Sequence, residues 1–168
     1  GLVTFQQGHD HEGVAHLRKS LALNPNDPEI AFWLGFILTY IGEADAAVEW
    51  LGTALRLNPL HDNIYTALGI AMYVSKHYDE AIDMLTKQKF IARWNLCYQA
   101  AANAQLGKID EAHVAARQFV ELLQTELQDR GAQVPASELE LANIETRFFR
   151  RPSDGEHLLD GLRKAGLQ

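Results

Sequence analysis

Apolar residues in this chain fall three and four apart, in blocks broken by proline, glycine and asparagine. Val14, Leu17 and Leu21, with Ala15 and Ala22, share one face at helical spacing and predict a helix over 13–23. Asn24-Pro25-Asn26-Asp27-Pro28 then closes one helix and opens another, with Asp27 a natural N-cap and Pro28 suited to the first helical position. The blocks repeat. Asn24-Pro25 returns as Asn58-Pro59, 34 residues later. In that register Leu17, Leu21, Leu23, Ile30, Leu34 and Gly35 match Leu51, Leu55, Leu57, Ile64, Leu68 and Gly69. Gly8 likewise matches Gly42, and Gly1 matches Gly35, so the chain is expected to begin partway through a helix and to be a piece of a longer protein.

The central unit, 31–59, places Leu34-Gly35, Gly42, Ala47, Leu51, Ala54, Leu57 and Pro59 at the small and apolar positions of a 34-residue helix-turn-helix repeat. It resembles the tetratricopeptide repeat, although Ala31 stands at that pattern's tryptophan and Leu38 at its tyrosine. Gly35 and Ala47 are small enough to let paired helices approach closely. The resemblance implies an all-α, right-handed solenoid of helical hairpins. Its units are a partial one over 1–27 and full ones over 28–61, 62–92 and 93–128, followed by a helical cap over 129–168 in the same structural domain. The spacing shortens between the second and third units, where Gly107 comes 31 residues after Lys76. Asp45-Ala46-Ala47, Asp79-Glu80-Ala81 and Asp110-Glu111-Ala112 put acids where second helices begin, and favourable placement at the helix dipole explains them without catalysis. In the cap, Ser137 with Glu140 and Ser153 with Glu156 read as capping boxes, which predict helices over 137–148 and 154–164.

Composition narrows the functional classes. The 168 residues are 47% hydrophobic and 22% charged, with a net charge of −7, which opposes binding to a phosphate backbone. No apolar run reaches the ~20 residues of a membrane span. The lone cysteine, Cys97, forms no internal disulfide and fits a reducing, cytoplasmic setting; a small packed residue explains it better than a nucleophile. Gly8-His9-Asp10-His11-Glu12-Gly13 gathers possible metal ligands but lacks zinc-site spacing and reads as a solvated turn. Arg147, Arg150 and Arg151 are explained by a helix C-terminus. No nucleophile–base pair, phosphate loop or metal spacing is present, so no catalytic residue, metal or cofactor is expected.

The tail, His157 to Leu167, resembles the C-termini of bacterial class III adenylate and guanylate cyclases that carry tetratricopeptide repeats, as does 93–107, with Arg93-Trp94-Asn95-Leu96 and Ala100 to Gly107. Similar tails occur in some winged-helix regulators. The resemblance implies a regulatory or oligomerisation region downstream of a cyclase domain, with a scaffold or a regulator's sensory region as the alternatives.

Tetratricopeptide geometry places first helices on the concave face. That gives a groove of Phe32, Trp33, Phe36 and Tyr40 from the first full unit, Ile70 and Tyr73 from the second, and Trp94 and Tyr98 from the third. Glu29, Thr39, Asn63, Thr66, Ala67, Val74, Cys97, Ala101, Ala104 and Gln105 share the face. With no basic residue there, a carboxylate clamp is disfavoured. The expected occupant is an apolar or amphipathic helix of a partner, a second copy in a homodimer, or the chain's own C-terminal helices.

Overall fold

The computed structural model describes residues 10–89 and 92–168. Among these residues there are nine α-helices, one 3-10 segment and no strand. The helices are α1 (Asp10–Leu23), α2 (Pro28–Ile41), α3 (Ala44–Leu57), α4 (Asp62–Val74), α5 (Tyr78–Thr86), α6 (Arg93–Gln105), α7 (Ile109–Asp129), α8 (Glu138–Ala142) and α9 (Pro152–Lys164). The 3-10 segment, Asn143–Phe148, lies between the last two. The architecture is the expected all-helical solenoid, in which α2 to α7 pack each against the next.

Local chemistry sets where helices start. Asp27 accepts from the Glu29 and Ile30 amides at 3.0 and 3.1 Å, so the orphan donors of α2 are met, and Pro28 sits in the first turn. Helix α1 begins earlier than 13: Asp10 to Gly13, expected in a turn, form its first turn, while Gly8 and His9 lie outside the described residues.

Three hairpins turn in the same way. One or two residues after each first helix comes a left-handed residue: Gly42 at φ 91°, Lys76 at 65° and Gly107 at 75°. The next amides, of Glu43, His77 and Lys108, donate back to Leu38, Met72 and Asn103 at 2.9, 2.8 and 2.9 Å. The repeat is therefore geometric as well as sequential, and it survives the shortened unit because α5 has only 9 residues against 14 in α3. The helix contact repeats too. A Cβ on Gly35 would stand 2.6 Å from Leu51 Cγ, and one on Gly69 would stand 2.6 Å from Leu85 Cγ.

The C-terminal segment closes the stack, with two departures from the sequence expectation. The helix expected over 137–148 tightens after Ala142 into the 3-10 segment, where Thr146 Oγ1 bonds both the Asn143 carbonyl and its side-chain oxygen. Ser137 does cap, accepting from the Glu140 amide at 3.2 Å. Ser153 does not, because Pro152 begins α9 and Arg151 takes the cap position; the fixed φ of proline outweighs the serine side chain.

Helix α9 packs on α6 through a glycine, Gly161, whose absent Cβ would lie 2.8 Å from both Ala101 Cβ and Tyr73 Oη. Gly161→Val is expected to lower stability by about 1–3 kcal/mol through overpacking. Gly52→Ala, with only the tip of Arg56 at 4.0 Å, is expected to gain up to about 1 kcal/mol from helix propensity. Urea unfolding followed by circular dichroism checks both.

Candidate functional site: an aromatic cavity on the concave face

Helix α2 carries an aromatic ladder because Phe32, Trp33, Phe36 and Tyr40 recur at helical spacing on one side. Phe32 meets Trp33 edge-on at 5.0 Å, Trp33 meets Phe36 at 5.7 Å, and Phe36 meets Tyr40 at 5.0 Å. His61, from the turn before α4, continues the row at 6.2 Å from Phe32. Opposite stand Ile64, Ala67 and Ile70 of α4, with Asn63 and Thr66 beside them and Trp94 and Tyr98 of α6 beyond. Together they enclose an open cavity of about 620 Å³, the size of a small-ligand or side-chain pocket.

The far wall comes from the C-terminal segment. Phe148 lies 5.8 Å and Phe149 5.2 Å from the Tyr40 ring, and the Arg150 amide donates to the Tyr40 carbonyl at 2.8 Å. Glu145 and Phe148 line the cavity, as do Pro28 and Asn58. The repeat register placed neither Phe148 nor Glu145 in the groove. The signal it lacked was the fold-back of the 3-10 segment onto α2.

The cavity base is polar. Tyr40 and Tyr98 are both buried there, and both titrate above an ordinary phenol because burial disfavours the phenolate. Beside them Glu145, 5% exposed, accepts from Arg93 Nε at 2.8 Å. Arg93 also pairs through Nη1 with Glu126 of α7, and its guanidinium lies 4.0 Å over the Trp94 ring. A planar, forked cation between two carboxylates and an aromatic face joins α6, α7 and the 3-10 segment.

Elsewhere the concave face is closed. Tyr73, grouped with the groove residues by sequence register, lies outside the cavity: it is fully buried, stacks on His157 of α9 at 4.9 Å and donates to the His157 carbonyl at 3.0 Å. Gln105 is likewise taken, donating to Asp160 at 3.1 Å and accepting from Lys164 at 3.0 Å. Thr39 bonds the Gly35 carbonyl within its own helix. Cys97 is buried, and desolvation raises its thiol pKa, which keeps it protonated. The other seven of the eight aromatic and apolar groove residues, Phe32, Trp33, Phe36, Tyr40, Ile70, Trp94 and Tyr98, do line the cavity.

The remaining candidates are structural. Asp10 is held by Arg150, with Nε to Oδ2 at 2.7 Å and Nη2 to Oδ1 at 3.2 Å, so Arg150 serves a distant carboxylate and not only its own helix end. Among the described residues no group of three histidine, cysteine or acidic side chains is placed to hold a metal. Also among them, no helix is long and apolar enough to cross a membrane.

No protein-family model matches the chain. Solved structures do. "Crystal structure of MamA" superposes with a TM-score of 0.67 at 17% identity, covering 96% of this chain and 90% of that one. "MamA RS-1 ArsTM double mutant" gives 0.66 at 17%, over 98% and 90%. "MamA MSR-1 C2" gives 0.62 at 25%, over 77% and 73%. The shared fold is tetratricopeptide-like. At these identities the likeness is one of architecture.

Two outcomes follow. Arg93→Met strands the buried Glu145 and is expected to cost about 3–5 kcal/mol, much of which Arg93→Met with Glu145→Met recovers; thermal unfolding of the two variants measures the coupling. His157 is half-buried, and burial first, then Lys76, lowers its pKa below the ordinary imidazole value. The unfolded chain therefore binds its proton first. Its stabilising share is present above about pH 6.5 and is lost as pH falls from there toward the lower folded pKa. Urea midpoints between pH 7.5 and 5 are expected to fall less steeply in His157→Asn than in the natural sequence.

Proposed function

We propose that the chain is a non-catalytic protein-interaction module whose working surface is the aromatic cavity between α2, α4 and α6. The observation that carries this reading is the ladder of Phe32, Trp33 and Phe36, large rings left only partly buried around a space of about 620 Å³. Rings held edge to face on a rigid helix lose little freedom when a partner covers them, which suits them as anchors. No nucleophile–base pair accompanies them: the only thiol is buried and protonated, and the deep carboxylate is engaged by Arg93. The tetratricopeptide-like architecture supports the same conclusion, since such stacks present concave binding surfaces.

The finer context rests on the sequence. Resemblance of 157–167 and 93–107 to cyclase C-termini supports a regulatory or oligomerising region of a bacterial signalling protein, acting on an output domain elsewhere in the polypeptide. The coding sequence upstream of Gly1 tests it: a cyclase domain there supports the assignment, and a different domain removes it.

The cavity is tested directly with the neutral fluorophore N-phenyl-1-naphthylamine. It is expected to bind the folded chain, and Trp33→Ala with Phe36→Ala is expected to weaken it about tenfold or more while leaving helicity unchanged. No binding to the natural sequence would show that the cavity is closed in solution.

A further inference from the structure

We propose that the cavity receives an arginine or lysine side chain, presented on an apolar segment of a partner protein. The inference rests on the interaction-module reading and adds the chemistry of the guest.

Charge is the first argument. The cavity lining contains two carboxylates, the exposed Glu29 and the buried Glu145, and neither lysine nor arginine. Arg93 is shared by Glu145 and Glu126, so that cluster holds more negative than positive charge, while Arg147 lies outside the lining, 5.0 Å over the Phe148 ring. Arg130 approaches Glu126 only to 4.0 Å and is exposed, where water and salt screen it. Glu29 makes no ion pair among the described residues.

Ring geometry is the second. His61, Phe32, Trp33, Phe36 and Tyr40 form a continuous row facing Trp94 and Tyr98 across the space. Aromatic walls with a carboxylate at the base suit a cation with a hydrocarbon stem, whose methylenes lie on the rings while the charged head meets π faces and oxygen. The protein already contains one such arrangement at the cavity's edge: Arg93 stands 4.0 Å over the Trp94 ring and pairs with Glu145. An acidic segment would instead bring a carboxylate toward Glu145 in a space of low dielectric. The chain's net charge of −7 also favours encounter with a basic partner.

The test is selection from a random dodecapeptide library displayed on phage, with Trp33→Ala as the counter-target after its helicity has been checked. The expected winners combine aliphatic or aromatic residues with at least one arginine or lysine. In a synthetic winner, replacing arginine by citrulline, or lysine by norleucine, is expected to weaken binding about tenfold, and Glu29→Gln to weaken it by about two- to threefold and flatten its salt dependence. Winners lacking a cation, or tolerating its neutral replacement, overturn the cation proposal while leaving the docking surface standing. A library with no preference for the natural chain over Trp33→Ala overturns both.

Discussion

A stack of helical hairpins buries each unit against the next, and the last unit has no successor. Here that constraint is met by helix α9, which lies against α6 where Gly161 allows contact with Ala101 and Tyr73. Much else depends on this closure. Tyr73 and Gln105 are removed from the concave surface, and the preceding 3-10 segment is led across to α2, where it builds the wall of the cavity. The pocket is what remains of a longer groove after the end of the chain has filled the rest.

The polar cluster beneath it shows how burial and recognition are combined. Arg93, Glu145 and Glu126 join three elements that would otherwise meet through apolar contacts alone. Buried ion pairs of this kind seldom add much net stability over a well-packed apolar replacement. Their effect is directional: a forked guanidinium fixes where Glu145 stands, and so fixes the charge at the base of an aromatic space.

Repeated features were legible in the sequence because the same physical requirement recurs at a fixed interval. The close contacts at Gly35 and Gly69, the turns at Gly42 and Gly107, and the Asp27-Pro28 helix start all follow from local sterics and hydrogen bonding. The aromatic row on α2 was legible for the same reason. What register could not show was which part of the concave face stays open, since that depends on residues more than 80 positions away, such as His157 against Tyr73. Nor could it show that Pro152 outcompetes Ser153 for the start of α9, or that the helix after Ser137 tightens at Asn143.

Residues Asp10 and Arg150 are 140 positions apart, yet their side chains are joined by two hydrogen bonds, and the Arg150 amide is anchored on Tyr40. An open array of repeats can fray one unit at a time, because each knows only its neighbours. This chord ties the first described helix to the last part of the chain, so loss of either end loosens the other. Opening of the first described helix and release of the segment around Arg150 are accordingly coupled through this one contact.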